Sequence, residues 1–202
     1  MTSTRSTSAL DGASDDTNPP VPGSLHPRIA ELMDELDAVR GELRAFVGGL
    51  PADIRNAPPN GDEWSVAGIM EHLSMVEDGA GRLFSHIVHE VEAAGTRETE
   101  TSSVLGLNDA FQIATSPVKV MAPERIQPKA GLPLEESMAR LEDAREKLKS
   151  VMRRASGLAL GTATMPHPLF GPLNGYQWLL ATAQHERRHL LQMRRVANRG
   201  NR

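Results

Sequence analysis

Two histidines four residues apart, His185 and His189, stand inside Gln184-His185-Glu186-Arg187-Arg188-His189 near the C-terminus. On a helix such a pair is adjacent on one face, so both imidazoles can reach one metal ion. The string His185-Glu186-x-x-His189 also fits the zinc metalloprotease pattern, in which Glu186 is the general base. Proteases of that type take their third ligand from further along the chain. Here residues 190–202 hold no His, Asp, Glu or Cys, and no sheet edge is expected that could bind an extended peptide. The protease reading is disfavoured. A third ligand has to come from upstream.

The chain has no cysteine, which removes thiolate ligands, cysteine nucleophiles and disulfides. Any metal must be held by His, Asp, Glu or water. His72 is the best upstream candidate, because it flanks the apolar stripe of a long helical segment. His86 and His89 fall near the far end of that segment and read as exposed. His26 precedes the first helix, and His167 sits in the connection before the last. Three histidines with open coordination positions are the usual plan of a catalytic zinc-type site. Without a metal, the pair would be partly buried histidines hydrogen-bonded to neighbouring helices. Glu186 has two functional readings, general base through metal-bound water or an acceptor that orients a ligand imidazole, beside a plain exposed glutamate. Trp64 and Trp178 read as core anchors, Gln192 and His167 as packing residues near the site, and Arg188 as a solvated-face residue.

The elements that must carry these residues are helical. At about 100° per residue, Trp178, Leu179, Ala183, His185, Glu186, His189, Leu190 and Met193 share one arc of the last segment. Ile29, Leu32, Leu36, Val39, Leu43 and Phe46 recur at helical spacing after Pro27, which suits a helix start. Ser65 is a good N-cap, with Trp64 and Ile69 placed as a hydrophobic staple. The apolar stripe that follows runs from Val66 to Val91. Helices are expected near His26–Gly48, Ser65–Ala94, Leu134–Ser156 and Asn174–Ala197, with no sheet beyond a short strand pair. Residues 96–133 read as a long irregular connection, with a short helix over Gly106–Ala114 and an extended piece over Val118–Met121. Met165 to Pro172 reads as a proline-fixed connection. Four amphipathic helices argue an all-α four-helix bundle.

At 202 residues with a net charge of −4, the chain is the size of one domain, and nothing in it suggests nucleic-acid binding. No apolar run approaches the roughly 20 residues of a transmembrane helix, and no signal-peptide core opens the chain, so the cytoplasm is the expected compartment. Residues 1–24 are rich in Ser, Thr, Asp, Pro and Gly and read as a disordered tail. The bundle domain is expected over 25–202.

Taken in order, Trp64-Ser65-Val66, Glu71-His72-Leu73, the proline-bearing middle section (Met121-Ala122-Pro123, Gln127-Pro128), His167-Pro168-Leu169-Phe170-Gly171 and His185-Glu186-x-Arg188-His189-Leu190-x-Gln192 resemble the DinB/YfiT-like superfamily. The resemblance spans roughly Leu25 to Ala197. It implies a four-helix bundle with a divalent metal, zinc or nickel, held by His72, His185 and His189. It also implies a metal-dependent hydrolase or a transferase using an external low-molecular-weight thiol, acting on a small electrophilic substrate. The rival is a non-catalytic metal- or ligand-binding stress-response protein on the same ligands. Expected partners are a small-molecule substrate, with no nucleic acid and no membrane; a homodimer is the candidate assembly.

Overall fold

The computed structural model describes residues 24–200 apart from 56, 59–60, 62, 111–112, 116–120 and 130–131. Residues 1–23 of the expected tail and most of the expected extended piece at Val118–Met121 lie outside the described residues. Four long helices form the body: α1 (Pro27–Gly48), α3 (Val66–Ala94), α4 (Leu134–Arg154) and α5 (Gly175–Gly200), with a single turn α2 (Ala52–Arg55) after the first. Among the described residues no helix is long and apolar enough to cross a membrane.

Local chemistry sets the helix ends. Pro27 occupies the first turn of α1, where a missing N–H costs nothing. Ser65 caps α3 by accepting the Gly68 N–H at 3.1 Å, and Gly95 ends that helix in the left-handed region at φ 67°, where a Cβ would be strained. At the start of α5 the Gly175 N–H donates to the Leu160 carbonyl at 2.9 Å. A Cβ there would sit 3.0 Å from Leu160 Cβ and 3.2 Å from its carbonyl oxygen, so a side chain would push α5 and Leu160 apart by a few tenths of an ångström.

Two connections take a more definite form than their sequence shows. The segment Met165–Pro172 is an antiparallel hairpin, β1 (Thr164–His167) with β2 (Gly171–Asn174), in the register Thr164↔Asn174 and His167↔Gly171. The proline-fixed connection is thus also where the short strand pair falls. A two-stranded ribbon with open outer edges tolerates the prolines, because the missing N–H groups need not fall on the ladder. The short helix expected over Gly106–Ala114 is a 3-10 turn at Leu105–Ala110. A second 3-10 turn spans Glu124–Ile126 and folds back over α3.

The apolar interior is split in two. One cluster gathers Ile29 to Val39, Phe84 to Val91, Leu148, Met152 and Tyr176 to Ala183. The other gathers Leu43, Val47, Val66 to Leu73, Leu141, Leu190 and Met193. Between them lies one charged layer with a residue from each long helix: Arg40, Glu77, Arg145 and Glu186, each at most 3% exposed. Arg40 Nη2 reaches Glu77 Oε2 at 2.6 Å and Arg40 Nε reaches Glu186 Oε1 at 2.8 Å. Arg145 Nη2 reaches Glu186 Oε2 at 2.6 Å, and its Nε pairs with Glu77. Arg145 Nη1 also donates to the Leu36 carbonyl at 2.5 Å, and Arg40 Nη1 to that of Leu141 at 3.2 Å. Charges this deep persist only when paired and hydrogen-bonded. Two guanidiniums and two carboxylates meet both conditions.

Candidate metal centre

The single turn of α5 that carries His185 and His189 faces the first half of α3, and His72 of α3 meets them. The three side chains each offer one ring nitrogen, and these atoms lie within 4.8 Å of one another. Ring centroids are 4.5 Å apart for His185 and His189, 4.7 Å for His72 and His189, and 5.3 Å for His72 and His185. Two metal-reach nitrogens, Nε2 of His185 and Nε2 of His189, are 3.2 Å apart. Ligands at the usual 2.0–2.1 Å from zinc would stand about 2.8–3.4 Å apart, from right-angle to tetrahedral geometry. The observed spacing falls inside that range.

Outer partners fix how two of the rings present themselves. His72 Nδ1 lies 2.6 Å from the Ile126 carbonyl oxygen. A carbonyl can only accept, so Nδ1 carries the hydrogen and Nε2 keeps its lone pair. His189 Nδ1 donates to Gln192 Oε1 at 2.7 Å, with the same consequence. Such outer hydrogen bonds hold a ligating histidine in its tautomer and orientation. The donor set therefore fits a divalent ion that takes imidazole nitrogen. The fold of the 121–129 segment explains the first contact: the turn at Glu124–Ile126 lies over α3, where Gly68 leaves room for Pro128, 3.4 Å from a built Cβ.

Burial shapes the protonation of the group. It pushes His72 down from the ordinary histidine range, and His185 well down. His189 falls to about 3, chiefly by desolvation and then by the charge of His72. All three are held neutral, the form that ligates metal. Trp64 closes one side, its ring 4.8 Å from that of His72 and stacked 6.3 Å from that of His189. Read from sequence as a core anchor, it is also a wall of the site.

Each remaining expectation has a definite place. His86 is exposed and pairs with Glu90 at 3.3 Å, and His89 is exposed. His26 caps α1 and donates its backbone N–H to Ser156 Oγ at 2.8 Å. His167 stands on the hairpin, its ring 4.9 Å from those of Trp178 and Phe170, and its Nδ1 accepts the Leu169 N–H at 3.2 Å. Glu186 is placed elsewhere than its sequence position beside His185 suggested. Both its oxygens are taken by Arg40 and Arg145, and it is not in the histidine group. Sequence reasoning missed the Ile126 carbonyl, which has no side-chain signature. It also missed the partners of Glu186. Their signal was present: Arg40, Glu77 and Arg145 each occupy the apolar phase of an amphipathic helix.

Comparison with known proteins agrees with this architecture. The family model of the DinB superfamily matches residues 35–193. The uncharacterized protein YuaE of Bacillus subtilis (strain 168) is 26% identical over 149 residues, covering 73% of this chain and 86% of YuaE. The crystal structure of TT2238, a four-helix bundle protein, aligns with a TM-score of 0.54 at 24% identity, over 83% of this chain and 98% of that one. That last likeness is one of fold.

Proposed function

This chain belongs to the DinB superfamily, and on that premise we propose that it is a metal-dependent enzyme that activates water or an external low-molecular-weight thiol against a small electrophile. The observation that carries the reading is the convergence of three neutral histidines within 4.8 Å, two of them with their outer nitrogens already committed. His72, His185 and His189 would hold the ion, zinc or nickel. When bound, it would supply Lewis acidity and bring the pKa of a coordinated water or thiol toward neutrality.

The chain's own residues do the rest. The Ile126 carbonyl and Gln192 Oε1 orient the imidazoles. Trp64 excludes water from one side. Among the described residues no fourth His, Cys, Asp or Glu joins the group, and three-ligand sites are those that keep a position for substrate. That favours an enzyme over a closed binding site. No proton step is assigned to Glu186, whose carboxylate is committed to two guanidiniums; it is a positioning residue that anchors α5 next to His185.

The test is metal content of the purified full chain, followed by turnover of activated esters and of electrophiles with added thiols. Stoichiometric divalent metal with metal-dependent turnover is expected. A protein that binds metal at all three histidines but turns over nothing in either assay would favour the binding-protein reading.

A further inference from the structure

Gly68, Glu71 and His72 stand at i, i+3 and i+4 on α3, which places them on one face. Each meets a residue of the same short segment, 122–129, that crosses over that face. Gly68 leaves room for Pro128, whose Cβ lies 3.4 Å from a built Cβ. Glu71 Oε1 accepts the Lys129 N–H at 3.3 Å. His72 Nδ1 donates to the Ile126 carbonyl at 2.6 Å.

The crossing segment is braced within itself. Gln127 Nε2 donates to the Ala122 carbonyl at 2.7 Å. The Ile126 N–H donates to the Pro123 carbonyl at 3.0 Å and the Gln127 N–H to the Glu124 carbonyl at 3.1 Å. Pro123 and Pro128 fix φ on either side of that turn. The position of the Ile126 carbonyl thus depends on where Lys129 is held.

Glu71 does the holding, at a cost. It is 6% exposed, and a buried carboxylate is unfavourable unless it is hydrogen-bonded. Glu77 and Glu186 answer that cost with guanidiniums, whereas Glu71 meets a backbone amide. An apolar side chain would pack there at less cost, but it could not fix the direction of the Lys129 N–H.

We propose that Glu71 is a positioning residue of the histidine centre. It ties down Lys129, so that the Ile126 carbonyl meets His72 Nδ1 and Nε2 is kept as the ligating nitrogen beside His185 and His189. The proposal rests on the metal-dependent reading above. Coupling of this kind is reciprocal: the crossing segment favours the ion, and the ion favours the crossing segment.

The experiment measures zinc affinity of the full chain by chelator competition, and trypsin cleavage after Arg125 and Lys129, both exposed. E71A should weaken zinc about tenfold, the low end for loss of an outer hydrogen bond. E71Q, whose amide oxygen can still accept the Lys129 N–H, should recover most of it. K129P removes the donor without touching α3; it should weaken zinc as E71A does, and it supplies the same test should E71A not fold. In H72A, adding E71A should change the already weakened affinity little, because Glu71 acts through His72. Zinc should slow cleavage at both sites in the natural protein, and less so in H72A. Zinc affinity untouched in E71A or K129P overturns the proposal. E71Q as weak as E71A overturns it too, because the carboxylate would then act by its charge, and so does an equal effect of E71A in the H72A background. Cleavage indifferent to zinc in the natural protein also overturns it. These results leave the metal reading standing, whereas a natural protein that takes up no zinc overturns both together.

Discussion

His185 Nε2 and His189 Nε2 face each other at 3.2 Å. His189 has its hydrogen on Nδ1, bound to Gln192, so in the neutral pair His185 must donate from Nε2. A proton added to His189 Nε2 would set two N–H donors against each other at that separation and place a charge where water does not reach it. The expected outcome is acid sensitivity of the metal-free protein. The folded pKa of His189 is lowered to about 3 from 6.5, so the unfolded chain binds the proton first as pH falls. Stability is complete above about 6.5 and drains away below it; His189 alone removes about 2 kcal/mol between pH 7 and 5. His72 and His185, lowered likewise, act in the same direction. Urea denaturation of chelator-treated protein at the two pH values measures this, and H189N should flatten the dependence. Equal stability at pH 7 and 5 would contradict it.

Metal content separates the ligands from their bystanders. H72A, H185A and H189A should each lose most bound divalent metal, whereas H86A and H89A, exposed on α3, should lose none. Gln192→Ala should retain metal at reduced affinity, about 10–100-fold, as expected when an outer hydrogen bond to a ligating imidazole is removed. Atomic absorption after dialysis against graded chelator gives these values. Full metal retention in H72A would sink the three-histidine site.

Trp64 offers an optical report of the same site. Its ring lies 4.8 Å from that of His72, while Trp178 is held at the hairpin through its Nε1–H, which donates to the Met165 carbonyl at 3.2 Å. Nickel(II) added to metal-free protein should quench tryptophan fluorescence, and W64F should abolish most of the quenching where W178F does not. The reverse pattern would place the metal at the hairpin instead.

Much of this was legible in the sequence, for a physical reason. Helix spacing puts apolar residues in phase over α1, α3, α4 and α5, and it puts His185 and His189 together with no reference to the rest of the fold. His72 could be selected because helix phase and the lack of a later ligand both point upstream. What the sequence concealed depends on tertiary distance. The Ile126 carbonyl belongs to a backbone that folds over α3 only in three dimensions. Glu186 has a local neighbour, His185, and distant partners 146 and 41 residues away in Arg40 and Arg145. Adjacency in sequence pointed to the neighbour, and the packed layer gave the carboxylate to the arginines.

That layer makes the last prediction. Arg40 and Glu186 are each at most 2% exposed, so removing one partner strands the other's charge without water. Arg40→Met leaves Glu77 and Glu186 sharing Arg145, and Glu186→Gln leaves two guanidiniums with Glu77 as their one buried carboxylate, Glu142 reaching Arg40 from its partly exposed side at 3.2 Å. Each should cost about 3–5 kcal/mol in urea denaturation. Replacing all four by apolar residues of similar volume removes the desolvation cost along with the attraction, and buried ionic groups replaced this way are often neutral or more stable. The quadruple variant should therefore be more stable than either single one. Its metal affinity supplies the functional half of the test. If the layer anchors α5 for His185 and His189, the quadruple variant should be stable yet bind metal less tightly than the natural protein. A quadruple variant that matches it in both respects would show that the layer serves neither purpose.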